Sequence, residues 1–183
     1  MDFARLEKNL TDNIKEAQLK LGFDNRPMSL NYTLGSLRKL LCAEPSNDIL
    51  SEFADFTFPR MGKLSFHEIR DGICITIPAD GTAYVNDLAG YDFLEELIKK
   101  VSCHGIFMDD VTAVFKKYAE NAVIESSNTG DFDVLAYFPD KYPDEYFYCL
   151  AEEPCIGGCH VIYHRFIRED YEEMFCQTAK KAE

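Results

Sequence analysis

Two histidines and a glutamate near the C-terminus are the first candidates for chemistry. His160 and His164 stand four residues apart in a segment with the alternating pattern of a β-strand. That spacing separates the two rings by roughly 13 Å along a strand, which is too far for one metal ion. The turn positions predict that Glu145 lies opposite His164, where a carboxylate could orient a general base. The alternative is two solvated or hydrogen-bonded histidines at the rim of a sheet.

Sulfur and imidazole ligands for a metal occur in the same region. Cys155 and Cys159 have the spacing of a zinc-binding pair, and the expected strand register places Cys149 across from His160. However, Cys159 and His160 are neighbours in a strand, so their side chains point to opposite faces. The chain has seven cysteines among 183 residues, an odd number that favours reduced thiols over a disulfide framework. We therefore expect no metal and no other cofactor, with these four residues as the ligands if a metal binds.

Tyrosines recur in the segments that should form the C-terminal sheet. A tyrosine combines an apolar ring with a polar tip, which suits an interface or a ligand surface. It also packs well on half-buried strands. The pattern therefore predicts either a binding face or part of the core, formed by Tyr137, Tyr146, Tyr148 and Tyr163.

The sequence contains no recognisable catalytic motif. It has no Gly-x-Ser-x-Gly nucleophile elbow, and the Gly157-Gly158 pair lacks the Lys-Ser/Thr of a phosphate loop. His67-Glu68 resembles the start of a zinc-protease motif, but Asp71 stands where the second histidine belongs. Whether the protein is an enzyme is therefore uncertain from its sequence.

The charge restricts the partners. The formal net charge is −13, and after residue 119 there are 14 acidic residues against 5 basic ones. Such a surface repels nucleic acid and anionic membranes, so we expect neither as a partner. The sequence has neither the ~20-residue apolar run of a membrane span nor a signal-peptide h-region at its charged start. We expect a cytoplasmic protein with a protein or small-molecule partner.

The elements that position these residues follow from periodicity. Apolar residues at spacings of three and four predict a first helix between Asp2 and Gly22 and a short helix beginning near Ser46. Asp71-Gly72, between two β-prone runs, predicts a hairpin. Further helices are predicted at about 33–43, 82–88, 92–103 and 109–119.

The period changes to two from Ala122 onward. Short links between the strands predict an antiparallel meander, and Arg168 begins a last helix. The expected fold is a single α+β domain over 1–183, in which N-terminal and central helices and a hairpin pack on this sheet. Its four strands are predicted at about 122–127, 132–138, 145–150 and 159–166.

Several segments resemble an uncharacterised family, a domain of unknown function from anaerobic Gram-positive bacteria. The resemblance rests on Leu6-Glu-Lys-Asn-Leu, Ile14-Lys-Glu-Ala-Gln, Asp144-Glu-Tyr-Phe-Tyr-Cys-Leu, Gly158-Cys-His-Val-Ile-Tyr-His-Arg-Phe and Glu169-Asp-Tyr. It implies a one-domain bacterial cytoplasmic protein and no particular reaction. The chain departs from the family at Pro154–Gly157, where the loop is longer than expected.

These observations favour a soluble binding or regulatory module that uses an acidic, tyrosine-rich sheet surface. An acidic body with aromatic residues suits a basic or amphipathic partner. The alternative is a small hydrolase or transferase that uses Glu145 and His164 as an acid–base pair.

Overall fold

The computed structural model describes residues 1–22, 25–127, 129–155 and 158–176. The chain forms two compact units, Met1–Ala89 and Gly90–Glu183. The α+β class is confirmed, and the single domain over 1–183 stays a prediction. The elements of the first unit are α1 (Phe3–Leu21), β1 (Met28–Thr33), α2 (Leu34–Leu41), α3 (Asn47–Met61), β2 (Ser65–Ile69), β3 (Gly72–Ile77) and α4 (Ala79–Asn86).

The first helix begins and ends where its sequence predicts. The Asp2 carboxylate accepts a hydrogen bond from the Arg5 backbone N–H at 3.0 Å, and Gly22 closes the helix in a left-handed conformation. Leu6, Leu10 and Ile14 form its apolar stripe and are completely buried. Burying such side chains contributes roughly 1.5–3 kcal/mol each, so the stripe anchors α1 to the core of this unit.

A three-stranded antiparallel sheet with the order β1-β3-β2 forms the centre of the first unit. The predicted hairpin is confirmed as β2–β3, although its two-residue connection is Arg70-Asp71 and Gly72 already pairs with Ile69. Strand β1 is an addition to the elements predicted from the sequence. A Cβ atom on Gly72 would lie 1.9 Å from the carbonyl oxygen of Tyr32 in β1, so only glycine permits this pairing.

Helix α3 is longer than the short helix that the sequence predicts. The Ser46 hydroxyl caps it by accepting a hydrogen bond from the Ile49 backbone N–H at 3.3 Å. The helix includes Pro59 in its last turn and ends at Gly62, whose φ is +68°. The extra turns carry Phe58, which is 59% exposed, to the surface beside β2.

The second unit contains the predicted C-terminal meander, whose strands have the order β4-β5-β6-β7. In the described residues every helix of the protein is too short or too polar to cross a membrane. The elements of this unit are α5 (Asp92–Val101), α6 (Met108–Tyr118), β4 (Val123–Ser126), β5 (Val134–Tyr137), β6 (Phe147–Cys155), β7 (Gly158–Phe166), α7 (Arg168–Tyr171) and a π-helical turn (Glu172–Cys176).

The register between β6 and β7 differs from the expected one. Cys149 lies opposite His164, not opposite His160. The reason is that both strands continue to a short connection, where Cys155 pairs with Gly158, whereas the expected loop begins at residue 151. The shift is four residues, an even number, so the side chains of β6 and β7 keep the faces predicted for them.

The register between β5 and β6 is shifted by one residue. The predicted strands at 132–138 and 145–150, joined by a turn at 139–144, place Ala136 opposite Phe147, but the structure places it opposite Tyr148. An odd shift exchanges the two faces of a strand, so the prediction that Tyr137 shares a face with Tyr148 is wrong. Tyr137 instead lies opposite Phe147, with 4.5 Å between the ring centroids.

Both faces of the meander are covered within this unit. On one face Tyr148 packs against Phe93 of α5 and Phe115 of α6, with ring centroids 5.7 and 5.2 Å away. On the other face Phe147 stacks on Tyr171 of α7 at 5.1 Å. Such edge-to-face and stacked pairs add about 0.5–1.5 kcal/mol each beyond the area that they bury.

Candidate binding cleft

Three of the four tyrosines singled out in the sequence lie in the core of the second unit. Tyr146, Tyr148 and Tyr163 are buried, and Tyr148 is fully so. The Tyr148 hydroxyl donates a hydrogen bond to Asp144, and the Arg165 guanidinium lies 4.2 Å from the centre of the Tyr146 ring. A ligand could reach Tyr148 only by displacing α5 or α6, which cover it. The fourth, Tyr137, is half-buried on the opposite face.

Glu145 and His164 are not brought together. Glu145 precedes β6, and its carboxylate lies 3.8 Å from the Lys141 ammonium. His164 lies opposite Cys149, which is four residues or roughly 13 Å further along the chain than Glu145. The His164 ring is 5.4 Å from the ring of Phe132. The expected register that paired them is wrong, and the geometry does not orient this histidine as a base.

The four candidate zinc ligands are spread along the β6–β7 hairpin. Cys149 and Cys155 are six residues apart on one strand, a separation of roughly 20 Å. Across the hairpin, Cys159 lies opposite Pro154 and His160 lies opposite Glu153. In the part of the chain that the structure describes, no group of three His, Cys, Asp or Glu side chains is arranged to hold a metal.

Burial sets the protonation state of Cys149. It is fully buried beside Leu135 and Phe147. Desolvation raises the pKa of its thiol to about 11, so the sulfur stays a neutral thiol at physiological pH. Only the thiolate is an effective nucleophile or metal ligand, and Cys149 therefore acts as a small apolar residue of the core.

The His67-Glu68 pair lies on β2 and forms no metal site. Opposite partners show that His67 shares a face with Cys74, whereas Glu68 shares a face with Ile73. Asp71 lies in the connection to β3 and is exposed. These three side chains therefore do not converge on one point.

An open cleft of about 290 Å³ lies between α3 and β2 in the first unit. Leu50, Ala54 and Phe58 are spaced by four residues, which places them on one side of α3. Leu50 is buried at the base, and Phe58 is largely exposed on the wall. The full lining is Asn47, Leu50, Ser51, Ala54, Asp55, Phe58, Lys63, Leu64 and Phe66.

Phe66 forms the β2 side of the cleft. It lies opposite Ile75 of β3, and Ile75 lies opposite Leu30 of β1, so the three form one row across the inner face of the sheet. Ile75 is fully buried, whereas Phe66 is half-buried. The cleft lining includes Phe66 but no residue of β1 or β3, so the cleft lies at the β2 end of this row.

Exposed carboxylates border the cleft. Asp55 lines it, Asp48 and Glu52 precede Asp55 on α3, and Glu68 shares the sheet face of Phe66. Within the described residues none of these four carboxylates has a hydrogen-bonded or ion-paired partner. Elsewhere in this unit Glu7 is paired, with 2.5 Å between its Oε1 atom and Nε of Arg60. The cleft thus has a partly apolar lining with one acidic residue, Asp55, and the other three carboxylates lie on the two elements that form it.

One positive charge, Lys63, also lines the cleft. It precedes β2 and is exposed, and within the described ranges its ammonium pairs with no carboxylate. Lys63 precedes β2, and Glu68 lies near its other end, where exposed Arg70 and Asp71 follow. The cleft is not predicted from the sequence, because Phe58 lies in the part of α3 beyond the predicted short helix.

The first unit is thus a small α+β module with an open apolar cleft beside an edge strand. The chain belongs to the family described as "Domain of unknown function, E. rectale Gene description (DUF3877)", which matches residues 3–175. E. rectale is an anaerobic Gram-positive bacterium, so the family resemblance inferred from the sequence is confirmed. No curated protein and no solved structure matches the chain.

Proposed function

We propose that the protein is a binding module and that its site is the cleft between α3 and β2, occupied by side chains of a polypeptide partner. The observation that carries this proposal is the apolar row of the sheet, which ends at Phe66 beside an open cleft. An aromatic side chain as exposed as Phe58, next to a concave apolar surface, is typical of interfaces.

The size of the cleft favours side chains over a whole cofactor. Pockets for small molecules usually enclose roughly 300–1,000 Å³ and bury most of the ligand. This cleft, at about 290 Å³ and open to solvent, is at the lower end of that range. It suits one or two apolar side chains that a partner inserts from the surface.

The proposal keeps one feature of the sequence-based hypothesis and changes another. The acidic character is kept, because carboxylates border the cleft. The binding surface is moved away from the tyrosines, because Tyr146, Tyr148 and Tyr163 are buried. The alternative of a hydrolase or transferase has less support, since Glu145 and His164 do not meet.

The proposal can be tested with small probes and methyl NMR. N-acetyl-leucine amide and N-acetyl-phenylalanine amide are titrated into the full chain with labelled leucine and alanine methyl groups. We expect saturable shifts at Leu50, Ala54 and Leu64, with millimolar affinity. Phe58→Ser should weaken the binding of both amides. Phe56→Ser, on the same helix but outside the cleft lining, should leave their binding unchanged. Shifts that are absent, or that cluster elsewhere, would contradict the proposal.

A further inference from the structure

We infer that the occupant of the cleft is an extended basic peptide segment that adds to the edge of β2 as a fourth, antiparallel strand. This inference rests on the proposed function and specifies the partner's backbone conformation and charge. The inference predicts that the segment contains a lysine or arginine followed two residues later by an apolar residue, and that both of these side chains face α3.

The first argument is the free edge of β2. In the part of the chain that the structure describes, β2 pairs with β3 alone, on one side. Alternate residues among its five present unpaired backbone N–H and C=O groups on the other side, where an extended peptide can bind. Addition of a strand to such an edge is a common mode of peptide recognition.

The second argument is the position of the cleft relative to that edge. A strand added to β2 would lie about 4.8 Å beyond it. Its residue opposite Phe66 would extend the row that contains Leu30 and Ile75, and its side chain would point to the α3 side. The cleft walls there are Ala54 and Phe58, so this residue is apolar. All pairs in this sheet are antiparallel, which favours the same direction for the addition.

The third argument is charge. The peptide residue opposite Glu68 is two positions from the residue opposite Phe66, and it points to the same face. Opposite charges on facing residues of neighbouring strands attract. Asp55, which lines the cleft on α3, adds to the negative field, and Asp48 and Glu52 lie on the same helix. Lys63 lies at the other end of β2, so the basic residue of the peptide belongs at the Glu68 end.

A defined peptide tests the inference on the full chain. Acetyl-Thr-Lys-Thr-Leu-Thr-Leu-Thr-amide places lysine opposite Glu68 and leucine opposite Phe66 in the antiparallel register. We expect saturable binding by isothermal titration calorimetry and slower hydrogen exchange of amides in Ser65–Ile69. Replacement of the lysine by glutamate should weaken binding about tenfold, because attraction becomes repulsion.

Backbone methylation separates strand pairing from simple insertion of side chains. In one peptide the backbone amides of the first, third and fifth residues, all threonines, are N-methylated. In a second peptide the amides of the second, fourth and sixth residues, the lysine and the two leucines, are N-methylated. Because one edge of a strand uses alternate amides, one of these two peptides should lose binding at least tenfold and the other should retain it. Equal affinity of both methylated peptides with the unmodified one would contradict strand addition.

Variants of the chain test the charge argument. Glu68→Gln should reduce the preference for the lysine peptide over the glutamate peptide by about threefold, and Glu68→Gln with Asp55→Asn should reduce it further. Asp87→Asn changes an exposed carboxylate away from the cleft and should leave the preference unchanged. An unchanged preference in the double variant would overturn the assignment of a basic segment.

The outcome also separates the inference from the proposed function. If the amino-acid amides enter the cleft but the peptide leaves exchange in β2 unchanged, strand addition is wrong and the cleft is still a binding site. If neither probe perturbs the cleft, both are wrong. Peptide-induced protection of β1 with none in β2 would overturn the inference, because the pairing would then use the other edge of the sheet.

Discussion

Phe66 lies directly opposite Ile75 in the β2–β3 pair, yet only Ile75 is fully buried. Residues that share a row on the inner face of a sheet are normally covered together by the layer above. Here the central strand of the row is fully covered, whereas the edge strand lies beside an open cleft lined by α3. This difference in burial within one pair of residues is the basis of the proposed binding site.

Truncation of a buried residue in this row and of an exposed residue in the cleft wall should have different effects on the free energy of unfolding. Ile75→Ala removes a fully buried side chain and should lower the free energy of unfolding by about 2–5 kcal/mol. Phe58→Ala removes a largely exposed ring and should cost less than about 1 kcal/mol. Urea unfolding followed by circular dichroism measures both. A large loss for Phe58→Ala would mean that this ring belongs to the core instead of the binding surface.

Gly72 should tolerate no side chain. A Cβ atom at this position would collide with the backbone of Tyr32, so Gly72→Ala should separate β1 from β3 and destabilise the protein by about 3 kcal/mol or more. Gly35→Ala in α2 is the matched control, because the atom nearest to a Cβ there, Oγ1 of Thr33, lies 3.7 Å away. Alanine there should stabilise the helix by about 0.5–1 kcal/mol. Thermal melting of both variants checks the contrast, and equal melting temperatures would contradict it.

Tyr148 should behave as a residue of the core. Tyr148→Ala removes a completely buried ring that contacts Phe93 and Phe115, and should cost about 3–5 kcal/mol. Tyr142→Ala, in which the ring is 72% exposed, is the control and should cost less than about 0.5 kcal/mol. Chemical denaturation of the two variants gives the comparison. Little loss for Tyr148→Ala would restore the tyrosine face as a candidate surface.

Cys149 should make stability depend on pH in the alkaline range. The pKa of its thiol is raised in the folded state from 9.0 to about 11, so the folded state favours the protonated form. This contribution is complete below pH 9 and is lost as the pH rises to about 11, and it amounts to at most about 3 kcal/mol. Unfolding free energies between pH 8 and 11 should therefore fall more steeply for the natural protein than for Cys149→Ala. Parallel slopes would contradict the buried neutral thiol.

The sequence predicts those parts of the fold that depend on local periodicity. The stripe Leu6, Leu10 and Ile14 identifies α1, and alternation after Ala122 identifies the meander. Strand β1 shows the same alternation, since Ser29 and Asn31 separate Met28, Leu30 and Tyr32, but the segment is only six residues long and is not among the elements predicted from the sequence. Register depends on the length of each connection, which periodicity does not reveal.

The site was harder to predict because it depends on burial by other elements. The tyrosines alternate as a surface face would, but three of them are buried, and α5 and α6 pack on Tyr148. Conversely, Phe58 and Phe66 look like core residues in the sequence. They border a cleft because β2 ends the sheet and Pro59 does not end α3. Neither fact can be read from the local pattern of residues.

Hydrogen exchange of the β2 amides is the most direct test of the central claim. The exchange rates of Ser65–Ile69 are measured by NMR on the full chain, with and without acetyl-Thr-Lys-Thr-Leu-Thr-Leu-Thr-amide at saturation. Strand addition predicts that alternate amides of β2 exchange at least tenfold more slowly with the peptide, and that Phe58→Ser reduces this protection at the same peptide concentration. Unchanged exchange throughout β2 at a concentration that saturates binding would contradict the account.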